Sequence, residues 1–244
     1  MQQEDLLHRP PPGFRVRDAI LDDVPDLTRL WYASFNSSHA FWAVMTPDDP
    51  ATRQWWNEAW TMGIQAGPAV LRTFVVEDLA QDGLIVAFAR WNVPQEGGKQ
   101  DIPLPEFPRE WDLELTEALW GGMPRNRAAV MGQRPHWMLE FLGVDPAYQQ
   151  KGLGFTLVDW GCRQADATGL EVYLDATIKG LPFYKKHFGF QERKALVMPA
   201  RVDSFGTYEL MAGVRPKTLT MRADVEEKHV PTSRVVELVA VQGA

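Results

Sequence analysis

The spacing of apolar residues predicts strands and helices in the first half of the chain. Apolar and polar residues alternate in "FRVRDA", which predicts a short strand. "LDDVPDLTRLWYASFN" has helical spacing after an Asp cap and the early Pro25, and "DPATRQWWNEAWTMGIQAG" predicts a second helix. "AVLRTFVVED" and "GLIVAFARWNV" are β-rich and joined around Asp82-Gly83, which indicates a hairpin.

Strands and helices alternate in the second half. "HWMLEFLGV" predicts a strand that runs into a glycine turn, and "EVYLDA" and "YELMAGV" predict two later strands. "LPFYKKHFGF" predicts a short helix that ends at Gly189. The helix after the glycine turn has one apolar face, formed by Leu153, Leu157, Val158, Cys162 and Ala165. This alternation predicts a mixed α/β sheet.

The chain divides into a main domain and two flanking segments. Residues 1–13 end in "RPPPG" and indicate a flexible lead-in, and 14–215 form the predicted domain. Residues 93–134 form an insertion, with a proline-rich loop and then a helix interrupted near Gly121 and Pro124. The pattern does not assign a role to the C-terminal extension, 216–244.

Composition excludes several classes of protein. With 45% hydrophobic residues and 10 tryptophans among 244 residues, the chain can bury a sizeable core, which argues against disorder. A net charge of −7 without a dense basic run makes nucleic acid a poor main partner. Cys162 is the single cysteine and is predicted to pack in the core. We find no secretory signal or membrane span and expect a cytoplasmic protein, either a monomer or a homodimer.

"DPAYQQKGLGFTLVDW" (145–160) suggests a phosphate-binding turn, because a helix that begins at glycines offers unpaired amide groups to an anion. A P-loop requires Gly-Lys-Ser/Thr, which is absent. A dinucleotide-binding fingerprint requires a third Gly or Ala at the position that Leu157 occupies here. It also requires the glycines to follow a strand directly, which they do not do in this sequence. Both alternatives therefore fail.

The remaining pattern, Gln149-x-x-Gly152-x-Gly154 after a strand, resembles motif A of the GCN5-related N-acetyltransferase (GNAT) superfamily. "VYLDATIKGLPFYKKHFGF" (172–190) resembles its motif B, and the two occur in the expected order. The residues of these two motifs are most similar to those of a fungal-type subgroup of the superfamily, most of whose members have no assigned substrate. The resemblance implies a GNAT fold, with a twisted mixed sheet of about seven strands, splayed central strands and flanking helices.

The resemblance also implies acetyl-CoA (coenzyme A) as the donor substrate and no metal. The pantetheine arm is expected to pair with the exposed backbone of the strand before the turn, and the pyrophosphate to lie against the glycines. The implied cofactor-binding residues are Leu142, Gly143, Val144, Gln149, Gln150, Lys151, Gly152, Leu153, Gly154 and Tyr184.

Two residues are the implied catalysts. Glu140 stands where members of the superfamily place a base, which accepts the amine proton through water. Tyr184 holds the motif B tyrosine position and is expected to protonate the CoA thiolate; His136 is a lesser candidate base. Strict alternation along the strand puts on one face Met138, Glu140 and Leu142, and on the other Trp137, Leu139, Phe141 and Gly143.

The sequence says less about the acceptor substrate than about the donor. Phe35, Phe41, Trp42 and Trp91 are candidate wall residues, and Asp48, Asp49 or Glu96 could hold a cation. We expect acetyl transfer to a primary amine of a small molecule. Two alternatives stay open: a protein lysine or N-terminal acetyltransferase, and a GNAT-fold module that binds CoA without acetyl transfer.

Overall fold

The computed structural model describes residues 10–36, 38–98 and 104–218. Its strands are β1 (Phe14–Asp18), β2 (Leu71–Asp78), β3 (Leu84–Asn92), β4 (His136–Val144), β5 (Glu171–Thr177), β6 (Gln191–Val197) and β7 (Glu209–Arg215). Its helices are α1 (Val24–Phe35), α2 (Ala40–Met45), α3 (Pro50–Gln65), α4 (Leu113–Thr116), α5 (Gly122–Met131), α6 (Leu153–Thr168) and α7 (Leu181–Phe188). Nearly all of the lead-in and of the C-terminal extension lies outside the described residues.

The strands form one sheet in the order β1-β2-β3-β4-β5-β7-β6. Every neighbouring pair is antiparallel except β4 and β5, which run parallel. The predicted mixed sheet is therefore confirmed, and its parallel pair lies at the centre.

The parallel pair separates halfway along its length. β4 and β5 are paired from His136↔Glu171 to Leu139↔Leu174. Beyond that rung β4 continues beside β3 as far as Val144, while β5 continues beside β7. The opening that results, which we call the split, confirms the predicted splay of the central strands.

Helices cover both faces of the sheet. One face carries α1 to α5, with a core that includes Trp31, Trp56 and Trp60, all fully buried. The other carries α6 and α7, with a core that includes Trp91 of β3 and Trp160 of α6. Truncating a buried aromatic of this kind to alanine costs about 3–5 kcal/mol, so the tryptophans hold the layers on both sides of the split.

Two elements were missed by the pattern. α2 lies between the first two predicted helices, where no element was predicted, and the His39 side chain caps it by accepting from the Phe41 amide at 3.1 Å. β6 is a sheet edge with mostly exposed residues, so "QERKALV" lacks the apolar alternation that identifies a half-buried strand.

The predicted interruption of the insertion helix is confirmed. A π-helical turn, Glu117–Gly121, joins α4 to α5. Pro124 explains it, because proline has no N–H and its ring collides with the carbonyl four residues earlier, here that of Trp120.

Candidate active site

The glycine turn connects β4 to α6 at the open end of the split. After Val144 the Asp145 side chain accepts from the Ala147 amide at 2.9 Å, and a short 3-10 turn follows. Gln150 (φ 63°) and Gly152 (φ 81°) then adopt the left-handed conformation that lets the chain enter α6. Glycine is required at the second position because L side chains rarely adopt this conformation.

This turn is built as an anion cradle. Among the described residues, no amide from Gln149 to Phe155 has a hydrogen-bond acceptor, and the first helical bond runs from Thr156 N to Gly152 O. A Cβ added at Gly154 would touch only Val144 and Leu142, at 3.6 and 3.8 Å, so the space above Gly154 is open. Converging N–H groups at a helix N-terminus favour phosphate.

The implied pantetheine-binding strand also lies at the split. Leu142, Gly143 and Val144 are beyond the last β4–β5 rung, so no described strand pairs there with the β4 edge that faces β5. A Cβ at Gly143 would overlap the ring of Phe88 on β3. This contact explains the glycine without reference to a ligand.

A β-bulge in β4 corrects the predicted alternation. Trp91 pairs with Leu139 and Arg90 with Phe141, so Glu140 is the extra residue between them. Phe141 therefore packs in the α1–α5 face, whereas Leu142 packs on the α6 face with Leu139. The prediction that Leu142 shares a face with Glu140 is wrong, because strict alternation does not survive a bulge.

The Glu140 carboxylate is held by three hydrogen bonds from β3. Arg90 Nε donates to Oε2 and Nη2 to Oε1, both at 2.8 Å, and Asn92 Nδ2 donates to Oε2 at 3.2 Å. The Arg90 side chain is 1% exposed and that of Glu140 12%. The Arg90 guanidinium also lies over the rings of Trp60 and Phe141, at 4.8 and 5.0 Å. Because a carboxylate has about four acceptor positions, Glu140 keeps about one for another donor.

Tyr184 lies on the other face of the sheet, on α7. Its ring is half-buried and contacts Phe183 and Phe190, with centroids 5.3 and 5.8 Å apart. Burial raises the pKa of Tyr184, so the phenol keeps its proton at neutral pH. Its hydroxyl makes no hydrogen bond to the described part of the chain and is not among the buried unpaired atoms.

His136 lies at the paired end of β4, opposite Glu171 and away from the split. The ring is buried, and Nδ1 lies 2.7 Å from the Arg134 carbonyl oxygen. Burial lowers the pKa of His136. It lines neither of the two cavities described below, so its location does not favour the lesser base hypothesis.

An inner cavity of about 130 Å³ opens at the split, on the α1–α5 face. Its charged members are Arg127 from α5, Glu140 from β4 and Asp175 from β5. The lining is otherwise mainly apolar, from Phe35, Trp42, Leu104, Trp120, Met123, Pro124, Met138, Phe141 and Leu210. A mostly apolar cavity with a few convergent polar groups is the usual form of a small-molecule site.

The four residues predicted for the acceptor wall do not lie together. Phe35 and Trp42 line the inner cavity. Phe41 is fully buried and stacks on Tyr208 at 4.0 Å, so it supports the wall from behind. Trp91 has to be removed from the wall, because it lies on the opposite face, fully buried, with Nε1 donating to Leu157 O at 3.3 Å.

The acidic residues proposed to hold a cation have other partners or positions. Asp48 pairs with Arg53 at 2.5 Å, and Asp49 caps α3 by accepting from Thr52 N at 2.9 Å. Glu96 lies in a turn that lines neither cavity. Pattern reasoning missed Asp175, although an acidic residue that interrupts the apolar part of "EVYLDA" is a visible signal.

A larger cleft of about 480 Å³ adjoins the inner cavity and shares Thr177 with it. His39 and Tyr208 line one side, with ring centroids 4.8 Å apart. Lys179 and Glu209 add one charge of each sign. The cleft and the cavity together offer room for a molecule larger than the inner cavity alone.

Three further predictions concern the rest of the chain. Cys162 is buried in the core, as predicted, and burial raises its pKa to about 12. Within the ranges that the structure describes, no group of three or more His, Cys, Asp or Glu side chains is arranged to hold a metal ion. The helices in those same ranges are too short or too polar to cross a bilayer.

Comparison with known proteins identifies the class. Residues 28–190, about two thirds of the chain, match the model of the Acetyltransferase (GNAT) family. The chain therefore belongs to this family, and it is an N-acetyltransferase. The superfamily assignment made from the glycine turn and motif B is confirmed.

Solved structures of low sequence identity share the fold. A mutant agmatine N-acetyltransferase in its apo form aligns with a TM-score of 0.56 and 15% identity, over 83% of this chain and 98% of that chain. A mosquito arylalkylamine N-acetyltransferase like 5b gives 0.52 and 13%, over 82% and 98%. Histone acetyltransferase HPA2 and related acetyltransferase from Corynebacterium glutamicum gives 0.53 and 17%, over 86% and 99%.

Proposed function

We propose that this protein transfers an acetyl group directly from acetyl-CoA to the primary amine of a small molecule. The observation that carries the proposal is the position of the split. On one side it meets the amides of residues 149–155, which have no acceptor among the described residues, and on the other the inner cavity lined by Glu140 and Asp175.

The donor is held by main-chain groups. The pyrophosphate lies on the amides from Gln149 to Phe155, and Lys151 adds a positive charge at the rim. The pantetheine arm lies in the split and pairs with the free edge of Leu142, Gly143 and Val144, which is strand addition. An N–H on this edge, such as that of Leu142, polarises the thioester carbonyl and stabilises the oxyanion.

Two side chains move protons. Glu140 accepts a proton from the attacking nitrogen through a water molecule, using the acceptor position that Arg90 and Asn92 leave open. Tyr184 gives its proton to the departing thiolate. The protonated, unbonded hydroxyl of Tyr184 and its place on α7, just after β5, support this role.

The inner cavity supports a small acceptor over a protein. Its volume of about 130 Å³ is close to the roughly 150 Å³ cavity that holds one benzene ring, and its wall is mainly aromatic and apolar. Such a site suits an amine on a ring-sized or short alkyl body. Two of the solved relatives are named for agmatine and arylalkylamines. A protein lysine or N-terminal acceptor stays the alternative, with the larger cleft as its docking surface.

Donor binding is tested by the shift in melting temperature with acetyl-CoA compared with ATP and NAD. We expect a shift with acetyl-CoA alone, and the absence of one at millimolar concentration would refute donor binding. The acceptor is tested by release of free thiol with a panel of arylalkylamines, alkylamines and polyamines beside lysine peptides. Faster turnover with a peptide than with every small amine would favour the protein-directed alternative.

A further inference from the structure

Asp175 and Glu140 both line the inner cavity at the mouth of the split. The last rung that joins the parallel strands is Leu139↔Leu174. Glu140 and Asp175 are the next residues on β4 and β5, and both line the inner cavity. The two carboxyl groups therefore lie where a molecule in the cavity would meet the thioester carried in the split.

The Asp175 carboxyl group is only half satisfied by the protein. Oδ1 accepts from the Tyr173 hydroxyl at 2.8 Å. Oδ2 is buried and accepts no hydrogen bond from the described residues, although Asn126 of α5 lies beside the carboxyl group. Burying a charged oxygen without a hydrogen bond is costly, and the nearby Asn126 and Arg127 only partly offset the effect of burial on Asp175, so a proton or a further cation would stabilise this oxygen. Glu140 needs neither, because Arg90 already neutralises it.

The charged and titratable groups around Asp175 come from each neighbouring element. α5 contributes Arg127, whose Nη1 lies 2.8 Å from Met138 Sδ, and Asn126 beside it. β5 contributes Tyr173, and β4 contributes Glu140 with its Arg90 partner. Burial raises the pKa of Asp175 to about 6, against smaller opposing effects of Tyr173, Asn126 and Arg127. A carboxyl group with this pKa can accept and release a proton near neutrality.

We infer that Asp175 binds the ammonium group of the acceptor in the inner cavity and accepts the proton that it loses before attack. The inference rests on the proposed function and assigns the acceptor site within it. The cavity would thus take a primary ammonium compound with an apolar body, its nitrogen between Asp175 and Glu140.

The proton balance gives the two carboxylates separate tasks. An ammonium group becomes an amide by losing two protons. The first passes to Asp175 and makes the nitrogen nucleophilic. After the nitrogen–carbon bond forms, the second passes through water to Glu140, and the carbon–sulfur bond breaks as Tyr184 protonates the thiolate. One proton is released overall when Asp175, Glu140 and Tyr184 return to their starting states.

The test compares Asp175→Asn with the wild type on two amines, one protonated at pH 7 and one of low pKa that is already neutral. We expect kcat/KM to fall about 100-fold for the protonated amine and far less for the neutral amine. The acid-side limb of the pH profile should disappear. The exposed Asp203→Asn serves as the matched control. An equal loss with both amines, or an unchanged pH profile, would overturn the inference.

A second variant covers the case in which Asp175→Asn does not fold. Tyr173→Phe removes the hydrogen bond that lowers the pKa of Asp175, so the acid-side limb should move to higher pH with acetyl-CoA affinity unchanged. If the acid-side limb stays in place while the wild type still transfers acetyl groups, the role assigned to Asp175 is refuted and the proposed function is not. Failure of the wild type to bind acetyl-CoA or acetylate any amine would instead reject the proposed function and this inference with it.

Discussion

Arg90 on β3 binds both carboxylate oxygens of Glu140 on β4, with two hydrogen bonds of 2.8 Å. Glu140 is the bulged residue of β4, so this pair fixes the side chain at the point where the regular ladder is interrupted. The guanidinium is buried and lies over the rings of Trp60 and Phe141. The pair therefore holds a charged group in position at the edge of an apolar cavity.

Replacing Arg90 should destabilise the fold. Arg90→Met leaves the Glu140 carboxylate buried without its cation, and we predict a loss of about 3–5 kcal/mol in the free energy of unfolding, measured by urea denaturation. Arg90→Met with Glu140→Leu should recover most of it. The exposed pair Arg125–Glu117 provides the control, because Arg125→Met should cost less than about 1 kcal/mol. Equal losses for Arg90→Met and Arg125→Met would contradict this role of the buried pair.

Glu140→Gln tests the base role separately from the structural role. Glutamine keeps the shape of the side chain but does not accept the second proton, so we predict a lower kcat and a pH profile moved to higher pH. Acetyl-CoA affinity, measured by calorimetric titration, should be unchanged. An unmoved pH profile would remove Glu140 from the proposed mechanism and leave it the structural role alone.

Tyr184→Phe should slow turnover without unfolding the protein. The hydroxyl makes no bond to the described residues, so its removal should barely change the melting temperature, whereas kcat should fall on the order of 100-fold. Because burial raises the pKa of Tyr184, the wild-type phenol stays protonated and the loss should be constant from pH 6 to pH 9. Tyr148→Phe, which removes a hydroxyl bonded to Asp78, is the control. Wild-type turnover in Tyr184→Phe would refute the acid role.

Gly154→Val tests the amide cradle. A Cβ at this position meets only ordinary contacts inside the protein, and the valine methyl groups would extend into the space assigned to the pyrophosphate. We predict normal folding and a dissociation constant for acetyl-CoA that is about 10- to 100-fold larger, which is the effect of losing one or two charge-assisted hydrogen bonds. Ala167→Val, on the exposed face of the same helix, should bind normally. Undiminished affinity in Gly154→Val would place the pyrophosphate elsewhere.

The pH dependence of stability reports on Asp175 without any substrate. Burial raises its pKa to about 6, so the folded state favours the protonated form and loses stability as the pH rises through about 6. Asp175→Asn cannot ionise, and we predict that its stability relative to the wild type increases between pH 4.5 and pH 8. The expected change is on the order of 1–3 kcal/mol in the free energy of unfolding. A difference that stays constant over this range would show that the pKa of Asp175 is not raised.

The local sequence was sufficient to predict the features that depend only on a few neighbouring residues. The glycine turn could be predicted because a left-handed residue and a helix start are determined by a few neighbouring positions, Gly152 above all. The strands and helices that pack on both faces also follow from their apolar spacing. β6 could not be found in this way, because a charged edge strand buries too little apolar surface to leave a pattern.

The rest of the site depends on relationships between distant strands. The bulge at Glu140 arises from the register with β3 and the Arg90 pair, and neither is visible in "HWMLEFLGV". The role of Asp175 depends on where β4 and β5 separate. Beyond that point β5 no longer pairs with β4, and Asp175 lines the cavity. Trp91 failed as a wall residue because it lies on the α6 face of β3, opposite Phe88, and the local sequence does not show which face of the sheet borders the cavity.

Single-turnover acetyl transfer tests the central claim most directly. The protein is mixed with one equivalent of isotopically labelled acetyl-CoA and an arylalkylamine, and the products are followed by mass spectrometry in parallel with Gly154→Val. The account predicts labelled N-acetylamine and free CoA in equal amounts, with no labelled protein intermediate, and a much slower reaction in the variant. An acetylated protein that precedes the product, or a Gly154→Val variant as fast as the wild type, would contradict direct transfer at the split.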